Sequence, residues 1–136
     1  MPAPLNLSHC AANSLDSGLV LISPSIQQWP QFEPALRLGV MASGNGSNFE
    51  AIQSSISAKA LHADIRLLVV NNQGCGAEQR AERLNIPCEL FDHRQFETRE
   101  RLDHALVNAF LEADVDLIVM AGWMRIVTPV LIEAFP

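Results

Sequence analysis

Leu38-Gly39-Val40-Met41-Ala42-Ser43-Gly44-Asn45-Gly46-Ser47-Asn48 is an apolar run that breaks into a glycine-rich turn. Residues 38–42 show no helical spacing and are bounded by turn-forming residues, which predicts a short buried strand. Immediately after the turn, Phe49, Ile52 and Ile56 recur at helical spacing, with Ser47 or Asn48 as the expected N-cap. A strand that turns on glycine into a helix is the first half of a βαβ unit.

The rest of the chain repeats this alternation. Residues 64–71 read as a second strand, and Gly76 opens a helix with Ala77, Ala81 and Leu84 on one face. Pro87 introduces a short third strand at 88–91. In the third helix Leu102, Ala105, Leu106, Ala109, Phe110 and Ala113 form one apolar stripe, Thr98 caps the start, and residues 99–103 fall on the polar side. Residues 116–121 form the fourth strand, ended by Gly122, and a last helix starts at Thr128 with Pro129 in its first position. This order predicts an α/β, Rossmann-like fold. The sheet is parallel, ordered 3-2-1-4, with helices on both faces and incomplete at its C-terminal side. Ligands of such sheets sit where the strand order reverses, outside the carboxyl ends of strands 1 and 4. Two loops border that crevice, 43–48 and 122–127.

Bulk properties narrow the function. A chain of 136 residues, 49% of them hydrophobic, supports one domain. Its net charge of −6 argues against a nucleic-acid backbone as partner. No apolar run approaches the roughly 20 residues that span a membrane, and the start lacks a signal-peptide pattern, so a cytoplasmic protein is expected. Cys10, Cys75 and Cys88 lack metal-ligand spacing and read as free thiols; no metal is expected. Residues 1–35 carry five prolines and no sustained period, which reads as a poorly ordered extension. An upstream start codon and a genuine tail both fit that stretch. The domain proper is 36–136.

The turn itself suggests an anion. Glycine lets a ligand approach the main chain, and the helix start offers unpaired amides at the positive end of its dipole. A dinucleotide is disfavoured, because Phe49 stands where the G-x-G-x-x-G fingerprint needs its third glycine. Strand 2 also ends in Asn71-Asn72 rather than the acid that holds an adenosine ribose. No Gly-Lys-Ser/Thr follows, which excludes a P-loop. A terminal monophosphate fits better than a pyrophosphate.

Residues 40–48 resemble the S-G-x-G-S/T-N phosphate loop of the phosphoribosylglycinamide formyltransferases. Residues 116–127 are similar to that family's fourth strand and folate-binding loop, with its A-G-F/W-M-R-I/L core, and Thr98-Arg99-Glu100 resembles its basic position at the head of the third helix. The likeness runs in order from about Arg37 to Pro136. It implies transfer of a formyl group from 10-formyltetrahydrofolate to the amine of glycinamide ribonucleotide, in purine synthesis. Gly46, Ser47 and Asn48 would bind the substrate phosphate. Met124, Arg125, Ile126 and Val127 would hold the pterin and Arg99 would help to place the folate; core filling and a solvated helix charge are the plain alternatives. The family's catalytic Asn-x-His-Pro-Ser segment and its catalytic Asp match nothing up to Pro136. No catalytic residue is therefore assigned, and an inactive fragment of the N-terminal, nucleotide-binding part is expected. His9, His62, His93 and His104 do not match those positions, and His93 reads as a surface-loop residue on the ligand side. The alternatives are the deformylase or methionyl-tRNA formyltransferase of the same fold, and a non-catalytic sugar-phosphate module.

Overall fold

Every strand of the sheet is parallel, and the order is β3-β2-β1-β4. A computed structural model describes residues 34–136; residues 1–33, with Cys10, His9 and nearly all of the expected extension, lie outside the described residues. The elements are β1 (Leu36–Ala42), α1 (Ser47–Ser57), β2 (Ala63–Val70), α2 (Gly76–Leu84) and β3 (Cys88–Leu90). A single 3-10 turn (His93–Gln95), α3 (Arg99–Glu112), β4 (Leu117–Met120) and α4 (Pro129–Ala134) complete them. This is the expected doubly wound α/β arrangement. No described helix is long and apolar enough to cross a membrane.

Alternation along the strands builds two cores. Leu38, Val40 and Ala42 of β1 join Ile65, Leu68 and Val70 of β2 under α1 and α2, with Phe49, Ala77 and Ala81 packed on them. Met41, Leu67 and Val69 face the other way, against Leu102, Leu106 and Phe110 of α3 and Leu131 of α4. Both faces of the sheet are thereby covered, which is why its strands read as continuous apolar runs. α3 lies so close that a β-carbon on Gly39 would meet the Phe110 ring at 2.5 Å. Phe110 in turn packs edge-to-face on Phe135, with ring centroids 6.2 Å apart, and so ties the end of α4 to α3.

Two local expectations need correction. The cap of α1 is neither Ser47 nor Asn48 but Gly46, whose left-handed backbone (φ 79°) enters the helix without any side-chain cap bond. Asp103 does not belong to the polar side of α3, for it is 2% exposed. By contrast the Thr98 hydroxyl does cap α3, accepting from Arg101 N at 3.2 Å.

Candidate functional site

Ser43 joins the two loops that topology selects. Its main-chain N donates to Gly122 O at 3.1 Å, while its Oγ accepts from Met124 N at 2.9 Å. On the other side Ser43 O accepts from Asn72 Nδ2 at 2.8 Å. One buried serine thus fixes loop 43–48 against loop 122–127 and against the end of β2.

The glycine loop is shaped from behind by α2. Gly44 O accepts from Ala77 N at 3.0 Å, and Arg80 Nε donates to Asn45 O at 2.8 Å. A β-carbon on Gly46 would lie 2.5 Å from Ala77 Cα, and one on Gly76 would lie 2.7 Å from Asn45 O. Both glycines are required by this contact of main chain on main chain. The first ladder bond of α1 runs from Glu50 N to Gly46 O at 3.0 Å, so the amides of Ser47, Asn48 and Phe49 precede the ladder. Ser47 and Asn48 line a cleft of about 330 Å³ together with residues 43–46, Asn72, Ala121, Gly122 and Met124. Arg80 had no signal in the apolar pattern; its charge faces Glu50, which also pairs with Arg83.

A second cleft, of about 580 Å³, lies between the head of α3 and the loop after β4. Its walls include His93, Phe96, Arg99, Leu102, Arg125, Val127 and Thr128. The structure thus groups Gly46, Ser47, Asn48 and Met124 in one cleft, and Arg99, Arg125 and Val127 in the other. Met124 and Ile126 are 81% and 71% exposed, so neither fills the core. His93 is half-buried rather than a plain surface-loop residue, with Nδ1 3.3 Å from the Nδ2 of buried Asn71. Among the described residues no cluster of three or more His, Cys, Asp or Glu is arranged to hold a metal.

The formyl transferase family profile matches residues 36–136. The chain belongs to the formyl transferase family. Phosphoribosylglycinamide formyltransferase of Bacillus subtilis is 33% identical to it over 99 residues, 73% of this chain and 51% of that one. The trifunctional purine biosynthetic protein adenosine-3 of Gallus gallus is 37% identical over 93 residues, 68% of this chain and 9% of that one. Among solved structures, glycinamide ribonucleotide transformylase 1 of Geobacillus kaustophilus superposes with a TM-score of 0.72 at 32% identity. That match covers 74% of this chain and 54% of the other. The chain therefore spans about half the length of the bacterial formyltransferases it matches, and far less of the trifunctional protein.

Proposed function

We propose that residues 36–136 are the N-terminal, nucleotide-binding part of a phosphoribosylglycinamide formyltransferase. In the complete enzyme, a formyl group passes from 10-formyltetrahydrofolate to the amine of glycinamide ribonucleotide, in the cytoplasm. The observation that carries this reading is the small cleft at the start of α1, whose main-chain amides sit behind Gly46 within one Ser43 bond of the loop after β4. Helix-terminal amides favour a compact dianion. Two crevices that share the loop after β4 suit a reaction between two bound small molecules.

Gly46, Ser47 and Asn48 take the substrate phosphate in this reading. Met124, Arg125, Ile126 and Val127 hold the pterin, with main-chain groups for its polar edge and the exposed Met124 and Ile126 against its ring. Arg99, across the second cleft, places the anionic end of the folate. The substrate's neutral amine then attacks the formyl carbon, and the tetrahedral intermediate collapses with the proton moving from amine to folate nitrogen. Holding both reactants converts a bimolecular step into a local one, which is this part's contribution. No described side chain takes the proton in this reading, and neither a metal nor a nucleic acid takes part. The phosphate loop favours glycinamide ribonucleotide over water or aminoacyl-tRNA as acceptor, since neither needs a small-anion pocket.

Calorimetric titration of the 136-residue chain with glycinamide ribonucleotide tests the reading. Binding is expected, and Asn48→Ala should weaken it by about tenfold to a hundredfold, the worth of one hydrogen bond to a charged group. Absence of heat with the ribonucleotide together with clear binding of NAD would refute it. Formyl transfer by residues 1–136 alone would refute the assignment of the chemistry elsewhere.

A further inference from the structure

Buried Asp103 is a carboxyl group that the proposed chemistry does not use. It points from α3 to the start of α4, where its Oδ2 accepts from Thr128 N at 2.6 Å and from Thr128 Oγ1 at 2.7 Å. Both residues are nearly inaccessible, at 2% and 6% exposure. Burying a carboxyl group costs free energy unless donors meet it, and here two donors of one residue do.

Thr128 forgoes its ordinary role to make this contact. It stands at the N-cap of α4, yet its side chain caps nothing. α4 spans only six residues, too few to hold itself in place. In the middle of loop 122–127 Met124, Arg125 and Ile126 are all exposed, while Trp123 and Val127 pack against the core on either side of them. The loop's entry is fixed by Ser43, and its exit is fixed by Asp103. Asp103 lies one helical turn after Arg99, so the same contact joins the two walls of the larger cleft, the head of α3 and the strand-to-helix loop.

We propose that Asp103 is a positioning residue: its clasp on Thr128 sets the spacing between Arg99 and the 124–127 main chain, and so governs affinity for the folate without touching it. This rests on reading that loop as the folate site. The phosphate loop is held by other partners, Ser43, Ala77 and Arg80, and stays intact when the clasp is opened.

The test compares Asp103→Ala, Asp103→Asn and Thr128→Val with the parent chain. Affinities for 5-formyltetrahydrofolate and glycinamide ribonucleotide are measured by calorimetry. Asp103→Ala strands two buried donors and should weaken the folate about tenfold, while the ribonucleotide changes by less than about twofold. Asp103→Asn keeps an acceptor oxygen and should stay within about threefold for both. A folded Asp103→Ala chain with unchanged folate affinity overturns the proposal, and so does parallel loss of both ligands, the mark of a merely structural role. Should Asp103→Ala fail to fold, Thr128→Val removes the hydroxyl bond alone; undiminished folate affinity in that variant overturns the proposal equally.

Amide hydrogen exchange separates this from failure of the folate reading. If the parent chain takes no folate, that reading fails. The clasp still predicts faster exchange at 124–128 in Asp103→Ala, with 47–50 unchanged. Equal exchange in both loops would dispose of the clasp itself.

Discussion

A methyl group on Gly46 would meet Ala77 Cα at 2.5 Å, and it would do so on a backbone already at φ 79°. Main chain cannot swing aside as a flexible side chain can, so Gly46→Ala must separate α1 from α2 or change the turn. Strain at such a position is worth about 1–3 kcal/mol. The variant should melt lower by an amount in that range, read from urea midpoints, and should lose ribonucleotide binding because the amides turn with the backbone. The sequence showed that a glycine was needed for a turn. It did not show that Ala77 is the reason, since a contact 31 positions away leaves no local pattern. Cys88 is a second residue whose behaviour follows from its surroundings. Burial at the start of β3, aided by nearby Glu78, pushes its thiol up to about 11. The thiolate is the reactive form, so at pH 8 Cys88 should alkylate far more slowly with iodoacetamide than a small-molecule thiol does. Mass spectrometry of the labelled peptide reads this directly, and labelling at the model-thiol rate would contradict it.

At the scale of elements, alternation and helical stripes made strands and helices legible, because burial on both sheet faces leaves runs that nothing else explains. Asp103 reads as a polar-side residue by its charge, but not by its position. It precedes Leu106 by three residues and Phe110 by seven, which puts it inside the apolar stripe of α3. A buried carboxyl group was therefore written in the spacing, though its partner Thr128 was not. The start of the sheet holds a pair with a pH signature. Arg37 N and Nε donate to Asp116 Oδ2 at 3.0 Å each, and Nη2 donates to Oδ1 at 2.8 Å, joining β1 to the residue before β4. These bonds hold the Asp116 carboxyl at about 2, below its ordinary 3.8. A depressed folded-state value means stability that is fully present above the ordinary value and is lost as pH falls toward the folded one. Between about pH 4 and pH 2 the parent chain should therefore lose stability that Asp116→Asn never had. Paired urea titrations should show the gap between the two proteins closing across that window; a constant gap would mean the pair does not couple to folding. Both groups are solvent-exposed, so salt should narrow the gap at neutral pH as well.

For the whole molecule, the outer edge of β4 is the feature with the largest physical consequence. Among the described residues β4 pairs only with β1, so one row of its amides and carbonyls faces away from the sheet. Leu117 and Met120 on that strand are 43% and 56% exposed, and Met124, Ile126 and Ile132 in the segment that follows it are exposed as well. An unpaired, apolar, uncharged edge is a template for another strand. Neither a bulge nor a lysine blunts it, and the nearest charge, Asp116, is engaged by Arg37. The 136-residue chain should therefore associate with itself. Sedimentation is expected to show mass rising with concentration across the micromolar range, where exposed edges commonly drive association. Met120→Lys places a charge at the C-terminal end of the edge while leaving the β1 ladder intact, and should return the chain to a monomer with unchanged ribonucleotide binding. The opposite face of β1 and the phosphate cleft do not include Met120, so a loss of binding in that variant would show that edge and site are not independent. A parent chain that sediments as a monomer throughout would mean that the β4 edge is protected in solution despite its exposed side chains.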